Sequence, residues 1–215
     1  MKIKWLGHSS FLITANDGTR IVTDPYVTGG GLKYDPINED AEIVLTSHGH
    51  DDHANVAAIG GNPKVVNSVG KTEVKCIKIN GVASFHDAAN GDQRGENIIF
   101  KFMVDDVSVC HLGDLGHKLS ASQVSDIGEV DILLTPIGGN FTIDASEATA
   151  ISTMIGPKTI IPMHFKNEKC DFPIAGLEYF MEGFVNIDAV VASEKEFEKI
   201  NFPAATKVLV LKPAM

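Results

Sequence analysis

The feature that most constrains this chain is a run of histidines and aspartates that directly follows an apolar segment. The run reads HGHDDH over residues 48–53, and the preceding segment, Ile43–Thr46, is typical of a short buried strand. Histidine and carboxylate side chains are the usual protein ligands of zinc, iron and manganese. Because Gly49 lets the backbone bend, several of these side chains can turn toward one point. An HxHxDH loop at a strand end therefore predicts a metal site rather than a solvated acidic loop.

Further candidate ligands lie at the ends of other apolar segments. Residues 111–117 read HLGDLGH, and Asp114 within them could bridge two cations because a carboxylate has two oxygens. His86 and His164 each stand at the end of an apolar segment. A lone histidine in such a place is more often a hydrogen-bonded core residue than a ligand. One loop offers too few ligands for a metal centre, however, so the HxHxDH loop makes both histidines candidates.

The charge balance and the cysteines limit the partners and the compartment. Lysines and arginines number 18 against 28 acidic residues, a net charge of −10. An acidic surface repels phosphate backbones, so we expect no nucleic-acid partner. Three cysteines without a CxxC pair suit a reducing compartment. No apolar run approaches the roughly 18 residues of a membrane span, so we expect a cytoplasmic protein without a membrane partner.

Most of the chain is predicted to form strands, and no linker or low-complexity block divides it. We therefore expect one domain over residues 1–215. Residues 11–14 and 20–23 form a predicted hairpin with an Asp-Gly turn. Further strands are expected at 43–46, 74–79, 82–85, 98–103, 107–110, 132–134, 159–161 and 208–211. Helices are expected after two capping boxes (Ser120 with Gln123, Asp144 with Glu147), at the amphipathic residues 174–184 and at 54–59.

One internal similarity hints at a duplicated strand-and-loop unit. Residues 42–46 read EIVLT and residues 131–135 read DILLT. Two unrelated buried strands could also match to this extent by chance, so the sequence leaves the repeat open.

Several short strings occur in the order found in one protein family. They are GHSSF at 7–11, TDP at 23–25, the HxHxDH loop, Gly113-Asp114, Gly138-Gly139 and IPMH at 161–164. Over essentially its whole length the chain resembles the metallo-β-lactamase superfamily, and within it the small UlaG-like (ascorbate-6-phosphate lactonase-like) metal-dependent hydrolases. The resemblance implies an α/β fold, a four-layer αββα sandwich of two mixed sheets flanked by helices. Its metals would lie in a cleft at one edge of the sheets, and a duplicated ββα half would agree with the internal similarity.

The resemblance also implies roles for individual residues. It implies a first metal held by His48, His50 and His86, and a second held by Asp52, His53 and His164. Asp114 resembles the bridging carboxylate, and Asp24 the aspartate that orients a ligand histidine through its ring N–H. Three histidines stay open: His8, His111 and His117. Each could line the cleft or be a hydrogen-bonded structural residue.

The implied activity is hydrolysis of a small ester, lactone or phosphoester by a metal-bound hydroxide. Asp52 would both bind the second metal and orient the hydroxide, and His111 would assist the leaving group or the oxyanion. Oxygen-reducing iron members of the superfamily usually carry Glu where this chain has His50, so His50 favours hydrolysis. The alternatives are a phosphodiesterase or nuclease of the same superfamily and a non-catalytic metal-binding or redox module.

The cofactors and partners follow from this interpretation. We expect two divalent metal ions, with zinc first and manganese or iron as alternatives. The partner is a small-molecule substrate, and a homo-oligomer is left open. Substrate choice is expected to depend on the shapes of the loops 26–36 and 90–97 around the cleft, which are polar and glycine-containing and could be mobile lids.

Overall fold

The computed structural model describes residues 1–184, 187–189, 192–198 and 201–215, and β-strands dominate it. Six strands form a first mixed sheet with the spatial order β15-β1-β2-β3-β5-β7. In chain order they are β1 (Lys2–Gly7), β2 (Ser10–Thr14), β3 (Arg20–Thr23), β5 (Ile43–Leu45), β7 (Lys64–Val66) and β15 (Glu194–Glu196).

Eight strands form a second mixed sheet with the spatial order β14-β16-β13-β12-β11-β10-β9-β8. They are β8 (Gly70–Val74), β9 (Ile77–Phe85), β10 (Glu96–Val104), β11 (Val107–His111), β12 (Ile132–Pro136), β13 (Thr159–Met163), β14 (Ile187–Ala189) and β16 (Lys207–Val210). Two short strands, β4 (Glu39–Asp40) and β6 (Ile59–Gly60), pair separately.

The two sheets pack face to face over one continuous apolar core. Trp5 and Phe11 of the first sheet and Phe100 and Phe102 of the second belong to the same buried cluster. Burying aromatic side chains of this size is a large part of the driving force that holds two sheets together. A second buried cluster, which includes Tyr26, covers the other face of the first sheet with the loop that follows β3.

Helices are few and short. The described α-helices are α1 (Ala121–Ile127), α2 (Ala145–Ile155) and α3 (Glu178–Met181), with a single 3₁₀ turn at Val56–Ala58. Both predicted capping boxes are present, at Ser120 before α1 and at Asp144 before α2. None of the described helices has the length and apolar character that crossing a membrane requires. The fold is that of the predicted sandwich of two mixed sheets, with thin helical layers.

Four predicted elements differ from the structure. The expected strand at 74–79 is interrupted because Lys75 and Cys76 adopt positive φ angles and form the tight turn between β8 and β9. The separate strand expected at 82–85 is instead the second half of the continuous strand β9. The expected helix at 174–184 is reduced to α3 because the backbone of Ala175 bonds to Gly138 and Lys166 instead of continuing a helix. Residues 54–59 form only the 3₁₀ turn and the start of β6.

The directions of the strands bring the candidate ligands to one edge of both sheets. β3 and β5 are parallel neighbours in the first sheet, and β11, β12 and β13 are parallel neighbours in the second. β9 runs in the same direction as β11 because both are antiparallel to β10. The carboxyl ends of these strands therefore meet, and the loops that follow them carry the polar residues.

Candidate metal centre

The first group of candidate ligands consists of three histidines. His48 and His50 come from the loop after β5, and His86 directly follows β9. One ring nitrogen from each lies within 4.8 Å of the others. The ring centroids of His48 and His86 are 4.7 Å apart, and those of His50 and His86 are 5.1 Å apart. The structure thus brings together the residues predicted for the first metal.

The second group lies beside the first and contains one residue more than predicted. Asp52 and His53 come from the same loop, and His164 directly follows β13. Together with His8, from the turn between β1 and β2, their ligand atoms lie within 4.8 Å of one another. His8 is buried, and its Nε2 lies 3.3 Å from Asp52 Oδ2. His8 is thus a hydrogen-bonded buried residue that contacts the second group through Asp52.

Asp114 stands between the two groups. Its Oδ2 lies 3.2 Å from Nε2 of His53, 3.2 Å from Nε2 of His86 and 3.3 Å from Nε2 of His164. Its carboxylate also groups with His48 and His53 within ligand distance. A carboxylate that reaches histidines of both groups is in the position that a bridging ligand needs.

The unpartnered atoms of the cluster fit cations better than an internal hydrogen-bond network. Among the described residues, His48 Nε2, His53 Nε2 and Asp114 Oδ1 are buried without any hydrogen-bond partner. His53 Nε2 is close to Asp114, but the pair lacks hydrogen-bond geometry. Buried polar atoms without partners are costly, and shared cations would satisfy all three. The donor set of imidazole and carboxylate suits zinc, manganese or iron.

Asp24 fixes two of the histidine rings. Its carboxylate accepts hydrogen bonds from the Ser47 backbone N–H and the Ser47 hydroxyl, both at 2.7 Å, and from His53 Nδ1 at 2.9 Å. Since the Ser47 hydroxyl donates to Asp24, it must accept from His48 Nδ1, which lies 2.9 Å away. Both rings then carry their proton on Nδ1 and offer Nε2 to the cluster. Sequence analysis predicted Asp24 in this role but missed Ser47.

The charges of the cluster follow from burial and mutual contact. Burial alone would raise the pKa of Asp114, but His164 and His53 hold it well below its usual value. Burial alone would lower the pKa of His53, but the carboxylates of Asp114 and Asp24 raise it well above its usual value. Burial and the neighbouring His53 lower the pKa of His48 to about 3, so this ring is neutral at pH 7. Metals bind a neutral imidazole and an ionised carboxylate, so a cation would have to displace the second proton of His53 from Nε2.

Asn97 and Gly113 hold the loop that carries Asp114. Asn97 is buried, accepts a hydrogen bond from the Asp114 N–H at 2.9 Å and donates to Ser84 Oγ and the Leu112 carbonyl. Gly113 has φ +58°, and a Cβ there would lie 2.3 Å from Asn97 Oδ1. A side chain at this position would therefore displace Asn97 or Ser47. Sequence analysis did not identify Asn97.

His111 and His117 are engaged by the backbone. His111 is buried, accepts the Gly113 N–H at Nδ1 and donates from Nε2 to the Ser9 carbonyl at 2.9 Å. Neither nitrogen is free for a substrate, so the catalytic role expected for His111 is not supported. His117 likewise accepts the Phe85 N–H and bonds to the Lys118 carbonyl. Both residues stabilise the loops around the cluster.

A small cavity opens onto the two groups. Its volume is about 260 Å³, and its walls include His50, Asp52, His86, Asp114 and His164, together with Arg94, Phe141 and Phe172. A larger depression of about 750 Å³ lies on the second sheet beside α1, with Lys71 and Lys101 in its lining. No group of candidate metal ligands among the described residues lies in that depression. The chemistry is therefore concentrated in the small cavity.

Comparison with known proteins gives the same family at the level of sequence and structure. A family model described as the beta-lactamase superfamily domain matches residues 2–164. The chain is 32% identical to a UPF0173 metal-dependent hydrolase of Carboxydothermus hydrogenoformans, over 77% of this chain and 84% of the relative. It is 27% identical to one of Thermococcus onnurineus, over 99% of this chain and 97% of the relative.

A solved structure agrees. The crystal structure of a candidate zinc-dependent hydrolase of the metallo-β-lactamase superfamily from Thermotoga maritima shares 37% identity and a TM-score of 0.81, covering 98% of this chain and 97% of that one. The chain therefore belongs to the metallo-β-lactamase superfamily and, within it, to the UPF0173 family of metal-dependent hydrolases.

Proposed function

We propose that this chain is a binuclear hydrolase of a small ester, lactone or phosphoester. The observation that carries the proposal is Asp114, whose Oδ2 contacts histidines of both candidate ligand groups at 3.2–3.3 Å. A hydrolase with one metal would not need a carboxylate between two ligand groups. A relation to the UlaG-like hydrolases stays a prediction from the sequence.

The candidate ligands form two sets, one for each cation. His48, His50 and His86 would hold one cation, Asp52, His53 and His164 the other, and Asp114 would contact both. When bound, the cations supply Lewis acidity and lower the pKa of water toward neutrality. Asp52 is ionised because its hydrogen bond to His8 and the neighbouring His53 lower its pKa against the effect of burial. Its carboxylate can therefore orient the attacking water by accepting a hydrogen bond from it.

The other parts of the proposal concern the metal, the location and the partners. Zinc is the first choice because the relative from Thermotoga maritima is described as zinc-dependent, with manganese or iron as alternatives. The free thiols Cys76, Cys110 and Cys170 suit a cytoplasmic location. We further propose one domain over residues 1–215 and a small-molecule substrate, in keeping with the small cavity and the net charge of −10.

Metal analysis combined with two variants tests this function. Protein purified without added metal should contain about two divalent ions per chain and hydrolyse generic lactones or phosphodiesters. Asp114→Ala and Asp52→Ala should each lose at least about 100-fold in kcat/KM, whereas the exposed Asp126→Ala serves as an unaffected control. Less than one metal per chain, or unchanged activity in both variants, would contradict the proposal. One tightly bound iron without any hydrolysis would indicate a redox module instead.

A further inference from the structure

We propose that Arg94 forms an anion-binding subsite beside the metal centre, so that the substrate carries a carboxylate or phosphate group. The inference rests on the proposed function, because it names the class of substrate that the same cavity would take. Arg94 lines the cavity of about 260 Å³ together with His50, His86 and Asp114. It is the only positively charged lysine or arginine side chain among the residues lining that cavity.

The guanidinium of Arg94 has no carboxylate partner within the described part of the chain. The guanidinium instead lies over the Phe141 ring, whose centroid is 5.5 Å from Arg94 Cζ. The chain's other arginine, Arg20, forms an ion pair with Glu39. Asp52 and Asp114 share the cavity with Arg94, yet neither forms an ion pair with it. The N–H groups of the Arg94 guanidinium are therefore available to a ligand.

The backbone of Arg94 is held in place by a buried aspartate. Asp87 accepts hydrogen bonds from the backbone N–H groups of Ala89, Gly91, Gln93 and Arg94, at 2.7–3.0 Å. Asp87 directly follows the candidate ligand His86, so the position of Arg94 is tied to the metal centre. Sequence analysis expected this loop to be a mobile lid, but its tip is closed by four hydrogen bonds to one side chain. A loop fixed in this way loses less backbone entropy when its side chain binds an anion.

The aromatic residues that line the cavity beside Arg94 indicate what the uncharged part of the ligand is. Phe141 offers its ring face to the guanidinium, and a planar guanidinium matches the two oxygens of a carboxylate or phosphate. Phe172 lies edge-to-face with Phe141, with ring centroids 5.9 Å apart, and adds an apolar surface beside the charge. The cavity therefore suits a small organic anion with an apolar portion rather than a neutral ester or a polymer.

Equilibrium binding to metal-loaded protein tests the subsite directly. The probes are phenylphosphonate and benzoate, with neutral benzyl alcohol for comparison, measured by calorimetry. Arg94→Gln should raise the Kd of at least one anion about tenfold or more and leave that of benzyl alcohol unchanged. The anion Kd of Arg94→Lys should lie between those of Arg94→Gln and the wild type, because lysine keeps the positive charge but not the planar guanidinium. Lys71→Gln removes an equal charge from the exposed β8 and should change nothing.

The outcomes separate this inference from the proposed function. If Arg94→Gln raises the Kd of phenylphosphonate more than that of benzoate, the subsite binds phosphate. If it raises the Kd of benzoate more, the subsite binds carboxylate. Unchanged anion binding, or equal weakening of the anions and the alcohol, would show that Arg94 only packs on Phe141 and would overturn the inference. Equal metal content in all variants is the check on folding. Anion binding that depends on Arg94 without hydrolysis of any generic substrate would reject the hydrolase and leave the subsite standing.

Discussion

At the scale of single residues, one buried carboxylate determines the ring tautomers of two candidate ligands. Asp24 acts on His53 directly and on His48 through the hydroxyl of Ser47. In both rings Nδ1 holds a proton, so Nε2 is the nitrogen that faces the cluster. Partners of this kind fix the ring orientation and make the ligand more basic. Ser47 is therefore as much a part of the candidate site as the aspartate.

We predict that Ser47→Ala weakens zinc binding at one of the two sites by about 10–100-fold. The variant removes the acceptor for the His48 Nδ1–H, while the backbone N–H of residue 47 still donates to Asp24. Competition with a chromophoric chelator would measure both affinities. Ser152→Ala is the matched control, because the Ser152 hydroxyl is buried in α2 without a partner among the described residues. Equal zinc affinities in the two variants would rule out a role for the hydrogen bonds from His48 through the Ser47 hydroxyl to Asp24.

The sequence predicted the candidate ligands and Asp24, but not the supporting residues Ser47 and Asn97. The ligand candidates stand where apolar segments end, and that change of character is visible along the chain at His86 or His164. Ser47 joins His48 to Asp24, and Asn97 holds the Asp114 backbone; Asp24 and Asp114 lie 23 and 17 positions away from them in sequence. Serine and asparagine are also common in ordinary loops. Only the packing of the loops against each other reveals their role.

At the scale of elements, the turn after β11 leaves no room for a side chain. A Cβ on Gly113 would lie 2.3 Å from Asn97 Oδ1 and 2.5 Å from Ser47 Cβ, so the turn touches supports of both Asp114 and His48. The loops after β5 and β11 belong to different sheets and meet at this glycine. The close approach of the two loops is thus a condition for assembling the metal centre.

We predict that Gly113→Ala lowers zinc affinity at least about tenfold, because Asn97 or Ser47 must move to admit the methyl group. Gly156→Ala is the matched control: Gly156 has a similar φ of +64°, but a Cβ there would meet nothing within 4 Å. Both variants should lose about 1–2 kcal/mol of stability from left-handed backbone strain. Thermal melts and metal titrations would separate the two effects. Retained zinc affinity in Gly113→Ala would contradict the close-contact argument.

The loop after β9 gives a prediction for acid stability. Burial would raise the pKa of Asp87, but the backbone N–H groups of Arg94, Ala89, Gly91 and Gln93 lower it to about 2. Because the folded pKa lies below the unfolded value, the ionised carboxylate stabilises the fold above about pH 4, and this contribution is lost as the pH falls through about 2. Asp87→Asn should melt at a lower temperature than the wild type at pH 7.

The same variant should lose less of its remaining stability than the wild type between about pH 4 and about pH 2. Melting temperatures recorded by circular dichroism across this range would show it. Asp92→Asn, which changes an exposed residue of the same loop, should follow the wild-type profile. Parallel profiles for all three proteins would exclude a role for the Asp87 hydrogen bonds.

The elements that sequence analysis missed depend on contacts far along the chain. Apart from the strands expected at 74–79 and 82–85, the predicted β-strands and both capped helices follow local patterns, and their bounds are close to those observed. The turn at Lys75 and Cys76 has no glycine or proline to mark it, and both residues adopt unusual positive φ values. The segment before α3 has an amphipathic pattern, but its backbone bonds to Gly138 and Lys166. Local periodicity cannot predict such competition from tertiary hydrogen bonds.

At the scale of the whole molecule, the candidate metal centre connects the two sheets. His48, His50 and His53 follow a strand of the first sheet, whereas His86 and His164 follow strands of the second. A backbone hydrogen bond from His164 to the His8 carbonyl, at 3.3 Å, makes a further connection at this edge. Cations held by both sets would therefore resist separation of the sheets.

We predict that a chelator that removes both cations lowers the melting temperature by about 11–22 °C in one cooperative transition. Zinc present at 100 times its Kd stabilises the folded state by about 2.7 kcal/mol per site, and about 1 kcal/mol shifts the melting temperature of a chain this long by about 2–4 °C. Asp114→Asn removes the charge between the ligand groups, so its melting temperature should respond much less to the chelator, whereas Asp126→Asn should respond like the wild type. Calorimetry with and without the chelator would show whether both sheets unfold together. Two separate unfolding transitions, with only one shifted in temperature by the chelator, would mean that the cations do not hold the sheets together.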